Sequence, residues 1–269
     1  MTDPQRSPGV RRRRRRRRRS GSSRGLYLLP HLVTTAGLFF GFYAIVEAFE
    51  GKPERSAVAI LLAGICDGLD GRLARIARSS SRFGMEYDSI ADTVSFGIAP
   101  AMLAFSAGNL QVLGRIGWVM AFLFSACAAL RLARFNVSPA TYKGRFEGLP
   151  TPAAAGMIAS STLFGIFLTE NGFALRIPEA FIASGTAILG LLMVSSVPYR
   201  SGKEIDLRHS YGTLVVMLFA LALIVVEPSV SLFLIGISYV CSGPLGWLWR
   251  LRTGRELERL EPAPDSGQS

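Results

Sequence analysis

Residues 66–94 read CDGLDGRLARIARSSSRFGMEYDSIADTV, and four aspartates recur within them at helical spacing. Asp67 and Asp70 are three apart and Asp88 and Asp92 are four apart, so each pair projects from one face of its helix. A turn at about 78–83 folds the two segments back antiparallel and brings all four carboxylates together. Left without counter-ions, such a group repels itself, and divalent cations relieve the repulsion. Oxygen-only ligands favour Mg²⁺ or Mn²⁺, and neither histidine lies in the stretch to suggest zinc. Two ions held by four Asp are suited to clamping a diphosphate and stabilising charge in phosphoryl transfer. Gly71 and Gly84 leave backbone open to a nucleotide, and Arg75, about one turn beyond Asp70, offers a guanidinium that can hold a phosphate bidentately. The plainer reading makes these aspartates caps, or ion-pair partners of Arg72, Arg75, Arg78 and Arg82. For one Asp it would be favoured. For four, interleaved with glycine and flanked by membrane spans, the functional reading prevails, because intramembrane carboxylates are costly and usually functional.

The elements that position this cluster read as membrane helices. Of the 269 residues, 49% are hydrophobic and 18% charged, against about 25% charged in an ordinary soluble domain. Windows of about 20 mostly apolar residues recur at 27–49, 55–77, 86–107, 115–134, 151–169, 178–198, 210–226 and 229–249. The expected fold is therefore all-α, a polytopic membrane bundle of about eight helices spanning 26–252. Its tails, 1–25 and 253–269, lack an apolar period and read as disordered. Lys and Arg concentrate in the N-terminal tail, at 78–83, 135–150 and 199–209, and after 250, which puts both termini and the acidic cluster on the cytoplasmic side. The first apolar stretch is too long for a signal sequence and no small-residue cleavage site follows it, so it should remain as the first helix.

The net charge of +11 is a property of the tail, since Arg11 to Arg19 form one unbroken run and everything else sums to +2. Without a recognition fold or aromatic interleaving, that run argues against nucleic acid and for a topology determinant resting on anionic headgroups. Cys66, Cys127 and Cys241 are far apart in apolar runs, which excludes a disulfide framework or a CxxC metal knuckle. Trp118, Trp247, Trp249, Tyr199 and Tyr211 fall at span ends, as an aromatic belt would. The run AAAG at 153–156 reads as a close helix contact.

The arrangement Asp67-Gly68-x-x-Gly71-x-x-Ala74-Arg75, eight residues, Gly84, three residues, Asp88, three residues, Asp92, with Asp70 between, resembles the signature of the CDP-alcohol phosphatidyltransferases, with every fixed position filled. Four further segments resemble the CDP-diacylglycerol–serine O-phosphatidyltransferase subgroup: GMEYDSIADTVSFGIAPA (84–101), LRLARFN (130–136), FEGLPTPAAA (146–155) and LLMVSSVPYRSGK (191–203). The stretch PHLVTTAGLFFGF (30–42) departs from the family, which tends to have Asn where His31 and Gly37 stand. The resemblance implies phosphatidyl transfer from CDP-diacylglycerol to L-serine, giving phosphatidylserine and CMP. Carried over by position, it implies that Asp67, Asp70, Asp88 and Asp92 hold two Mg²⁺ or Mn²⁺ ions and that Asp92 is the general base on the serine hydroxyl. It further implies that Gly71, Arg75, Gly84 and Thr34 bind the nucleotide side of the substrate. A homodimer in a bacterial cytoplasmic membrane, its active site facing the cytoplasm, completes what the family suggests.

Another class of enzymes making phosphatidylserine attacks with a histidine from an H-x-K motif. Here His31 precedes Leu-Val and His209 precedes Ser-Tyr, which excludes a covalent phosphatidyl-histidine and leaves direct displacement. Serine selectivity asks for groups that take a carboxylate and an ammonium. Arg131 and Arg134 end the fourth span on the cytoplasmic side, and Lys143, Arg145, Arg200 and Lys203 lie in neighbouring cytoplasmic loops. At least one is expected to meet the serine carboxylate, with Glu147 and Ser95 as partners for the ammonium and hydroxyl. Two alternatives stay open at this point: a family member that accepts glycerol 3-phosphate or an inositol phosphate, and, more distantly, a metal-ion transporter with the carboxylates as its translocation site.

Overall fold

The computed structural model describes residues 24–77, 82–137, 145–173, 176–200 and 225–253, with single positions at 218 and 222. Helix α1 (Arg24–Phe49) turns at 50–52 into α2 (Pro53–Ala77), whose proline occupies the first helical position, where no N–H is needed. The two pack along their length through Ala44, Ala48, Ala57 and Ala63, all essentially buried, and Ser56 Oγ donates to the Ala44 carbonyl at 2.8 Å. Such small side chains let backbones approach where lipid supplies no hydrophobic drive. In the turn itself Lys52 pairs with Glu50 at 2.5 Å. That contact raises the lysine pKa and lowers the glutamate's, so the two charges cancel in this loop.

Helix α3 (Arg82–Asp92) widens into a π turn at Thr93–Ile98 and continues as α4 (Ala99–Ala107), one rod of 26 residues. Pro100, near the start of α4, has no N–H to return to the preceding turn, and a widened turn is one way a helix absorbs such a break. Side chains of neighbouring helices attend to the altered backbone: Ser125 Oγ donates to the Gly97 carbonyl and Ser95 Oγ to the Gly37 carbonyl, both at 3.1 Å. The second contact draws α1 against the π turn so closely that a Cβ on Gly41 would lie 2.3 Å from Ser95 Oγ.

A short 3₁₀ turn (Leu110–Leu113) leads to α5 (Arg115–Val137). Then follow a strand β1 (Arg145–Glu147), α6 (Thr151–Glu170), α7 (Glu179–Val194), a strand β2 (Pro198–Arg200) and α8 (Pro228–Thr253), which stays continuous through Pro244. α2 and α8 both pack on α6, and α5 packs on α7. The core between them holds Phe96, Phe124, Ile60 and Leu103 among many alanines, including Ala154 and Ala155 of the AAAG run. Large apolar side chains such as Phe39, Phe122 and Trp249 point outward, as lipid permits.

Five of these elements are long and apolar enough to cross a membrane: His31–Phe49, Arg82–Ala107, Arg115–Val137, Thr151–Glu170 and Pro228–Arg250. The sequence windows at 55–77 and 178–198 become α2, too charged at its acidic end to meet the same measure, and α7, only 16 residues long. Most of the window at 210–226, and the tails at 1–23 and 254–269, lie outside the described residues.

The antiparallel pair β1–β2 was not expected in an all-α reading. Arg145 faces Arg200, Phe146 faces Tyr199 and Glu147 faces Pro198. Gly148 leaves this ribbon with φ +74°, and a Cβ there would lie 2.2 Å from the Met193 carbonyl oxygen, so no other residue fits without backbone movement. Tyr199 is a correction to the aromatic-belt reading. Fully buried, it donates its hydroxyl to the Val240 carbonyl of α8 at 3.0 Å, and burial pushes its phenol up to about 12.

Candidate active site

The regular helix of α2 puts Asp67 and Asp70 on one side, and α3 presents Asp88 to them. One carboxylate oxygen from each of the three lies within 4.8 Å of the others. Asp70 is buried and accepts a hydrogen bond from the Thr34 hydroxyl of α1 at 3.0 Å, which fixes its rotamer against a third helix. Asp92 stands one turn beyond Asp88, where α3 enters the π turn. It interacts electrostatically with Asp67, Asp88 and Asp70, and with Arg131 as the opposing charge.

The plainer reading made these carboxylates caps or ion-pair partners of Arg72, Arg75, Arg78 and Arg82, of which Arg72 and Arg82 have described side chains. Among the described residues the ion pairs are Lys52–Glu50 and Arg134–Glu147, and neither involves the cluster. Three crowded carboxylates with all-oxygen donors, half-buried to buried, fit a hard divalent cation. Asp67, Asp70 and Asp88 are the residues that would hold it, with Asp92 beside them.

The glycines and Arg75 line up along the same two helices. Gly71 follows Asp70 directly on α2 and its backbone N–H serves that carboxylate, Arg75 lies one turn further along α2, and Gly84 sits in the first turn of α3. Between α1 and α3, Thr35 Oγ1 and the Tyr87 hydroxyl are 3.0 Å apart, and Phe83 stacks on Tyr87 and takes His31 edge-on. His31, one of the departures from the family pattern, thus belongs to an aromatic ladder joining α1 and α3.

The two arginines near the C-terminal end of α5 part company. Arg131 turns inward, donates to Thr151 Oγ1 at 3.2 Å, and interacts electrostatically with Asp92 and with Tyr239 of α8. Its Nε is buried with no hydrogen-bond partner. Arg134, one turn on, is half exposed and forms an ion pair with Glu147 at the end of β1, its other nitrogen 3.5 Å from the Val194 carbonyl. The expected serine-ammonium partner Glu147 is therefore engaged by an expected serine-carboxylate partner. Ser95, expected near the acceptor hydroxyl, is buried under α1 with its own hydroxyl committed to Gly37. Asn136 reaches from the end of α5 to Ser89 Oγ at 2.9 Å and ties α5 to α3. Arg78, Lys143 and Lys203 lie outside the described residues, and Arg145 and Arg200 are cross-strand neighbours in the ribbon.

Sequence reasoning missed Thr151 and Tyr239. Thr151 lay within FEGLPTPAAA, and a hydroxyl at the start of α6 was a fair signal for a polar contact. Tyr239 carried none, because nothing local ties it to residues more than a hundred positions away.

A carboxylate cluster of this spacing, carried on two helices of a membrane bundle, defines a class. Residues 27–197 match the CDP-alcohol phosphatidyltransferase family, and the chain belongs to it. The reading of the carboxylates as a transporter's translocation site falls away with that assignment. The relatives narrow the likeness. A CDP-diacylglycerol–serine O-phosphatidyltransferase of Helicobacter pylori is 34% identical over 228 residues, 83% of this chain and 92% of the relative. One of the same name from Mycobacterium tuberculosis is 34% identical over 233 residues, 81% of this chain and 78% of the relative. An archaetidylserine synthase of Methanothermobacter thermautotrophicus is 35% identical over 176 residues, 64% and 69% of the two chains.

Proposed function

We propose that this protein transfers the phosphatidyl group of CDP-diacylglycerol to the hydroxyl of L-serine, releasing CMP and forming phosphatidylserine. The observation that carries the reading is the meeting of Asp67, Asp70 and Asp88 within 4.8 Å, next to Asp92 and an inward arginine, in a chain of this family. Serine as acceptor is supported by the names of the relatives, which keep serine while the lipid part changes from diacylglycerol to archaetidyl.

In this reading the serine oxygen attacks the β-phosphorus, the new P–O bond forms as the bond to the CMP oxygen breaks, and the serine proton passes to Asp92. A carboxylate close to the reacting hydroxyl suffices as base, and holding both substrates in line contributes much of the rate. Two Mg²⁺ or Mn²⁺ ions held by the four aspartates would neutralise the diphosphate and stabilise the charge of the departing CMP. Thr34 keeps Asp70 in place, Gly71 and Gly84 let the nucleotide approach backbone, and Arg75 takes a phosphate oxygen. Arg131 faces the acceptor, and Arg134 acts on the same side through Glu147.

The wider setting is part of the proposal: eight spans over residues 26–252, both disordered tails and the site in the cytoplasm of a bacterial cell, a homodimer, and Arg11 to Arg19 lying on anionic headgroups. The excess of Lys and Arg beside 78–83, 135–150, 199–209 and after 250, against Lys52, Arg55, Arg115 and Arg176 in the opposite loops, supports this orientation. The test is release of CMP by the purified protein from CDP-diacylglycerol with L-serine, glycerol 3-phosphate and an inositol phosphate in turn. Turnover with serine is expected, and turnover with a phosphorylated acceptor in its place would overturn the choice of substrate.

A further inference from the structure

Opposite the carboxylates, three helices bring one polar group each to the same place. Arg131 comes from α5, Thr151 from the first turn of α6 and Tyr239 from the middle of α8. Thr151 is fully buried and occupied by one guanidinium nitrogen, while the Arg131 Nε is buried and unpartnered. A buried N–H of a charged group without an acceptor is costly, and a native structure usually explains it by a partner that arrives later. Asp92 and Tyr239 are both close enough to this guanidinium to interact with it electrostatically.

Tyr239 is held there by construction. Its ring lies against the Tyr199 ring with centroids 5.6 Å apart, and the Tyr199 hydroxyl is bonded to the next residue of α8, Val240. The β1–β2 ribbon therefore pins α8 at the residue pair that includes Tyr239. Arg134 and Glu147, paired with one another, close the Pro198 end of that ribbon.

We infer that the Arg131 guanidinium and the Tyr239 hydroxyl together form the subsite for the carboxylate of the amino-acid acceptor, so that α8 supplies a specificity-determining residue. This rests on the reading of the reaction as transfer to serine. A carboxylate accepted by Arg131 places the hydroxyl of the same small molecule toward Asp92, the group assigned to take its proton. A carboxylate that meets the Arg131 Nε also favours an amino acid over an amino alcohol that lacks it, because the alcohol would leave that buried N–H unmet.

The experiment measures KM for serine, KM for CDP-diacylglycerol and kcat for the wild-type protein, Tyr239→Phe and Arg131→Lys. Tyr239→Phe removes one hydroxyl and keeps the ring on Tyr199. It is expected to raise the serine KM about 10-fold, the worth of a hydrogen bond to a charged group, and to leave the CDP-diacylglycerol KM within about twofold. Arg131→Lys keeps the charge but loses the second donor edge, and is expected to raise the serine KM further with the same selectivity. An unchanged serine KM in Tyr239→Phe, or an equal rise in both KM values in either variant, overturns the subsite. Failure of the wild-type protein to release CMP with serine overturns the reaction instead, so the two failures are distinguishable.

Discussion

The carboxylate wall of the site takes Asp67, Asp70, Asp88 and Asp92 from a stretch of 26 residues, whereas the facing wall takes Arg131, Thr151 and Tyr239 from three helices spread over more than a hundred. The first is a local device. Helical periodicity and one reversal of the chain suffice to crowd the carboxylates, and Thr34 adds a single brace from α1. The second exists only once α5, α6 and α8 are packed and a six-residue ribbon has fixed the height of α8. The difference teaches where each kind of specificity is kept. On the proposed reading, the chemistry sits in a contiguous motif and recognition of the acceptor sits in an assembly of distant parts.

The largest effects belong to the carboxylate wall. Asp67→Asn and Asp88→Asn each remove charge from residues that would grip the metal, and each is expected to abolish both turnover and metal-dependent binding of CDP-diacylglycerol. A titration of CDP-diacylglycerol binding against Mn²⁺, beside CMP release, checks this. Asp92→Asn should separate the two readouts. An amide keeps the shape but takes no proton, so kcat should fall by roughly 10²–10⁴ while binding survives. Loss of binding as complete as in Asp67→Asn would make Asp92 a plain ligand.

A substitution far from the chemistry tests the ribbon. Gly148→Ala puts a methyl group into the Met193 carbonyl at a positive φ, which should destabilise the protein by about 2 kcal/mol or more, read as a lower midpoint of thermal unfolding in detergent. The serine KM should rise with it, since the ribbon sets α8, while the CDP-diacylglycerol KM moves less. An equal shift in both would show that the ribbon supports the whole bundle and not the acceptor wall alone. The smallest effect is expected from deleting residues 1–20. Turnover in neutral detergent should be nearly unchanged, and loss should appear only on anionic vesicles, where each arginine contributes on the order of 1 kcal/mol and salt screens it. Loss in neutral detergent would contradict an electrostatic role for the tail.

What the sequence made legible follows the same division. The aspartate spacing, the membrane class and the family were readable because each rests on a local pattern. The ribbon was not, since strands of three residues carry no periodicity and 145–147 sat in what read as a loop. Tyr199 looked like an interfacial aromatic because its place at a span end is visible in sequence and its burial under α8 is not. Arg134 and Glu147 were both read as substrate contacts; only the folded ribbon shows that they meet one another. The π turn after Asp92 had one advance sign, Pro100, which could equally have ended a helix.

The division of labour between the walls is tested most directly by equilibrium binding of CDP-diacylglycerol, in the presence of Mn²⁺ and without serine, to Asp67→Asn and to Arg131→Lys. The account predicts that Asp67→Asn no longer binds and that Arg131→Lys binds as the wild-type protein does. Weakening of CDP-diacylglycerol binding in Arg131→Lys to the level of Asp67→Asn would contradict it, and would place Arg131 on the nucleotide side of the site.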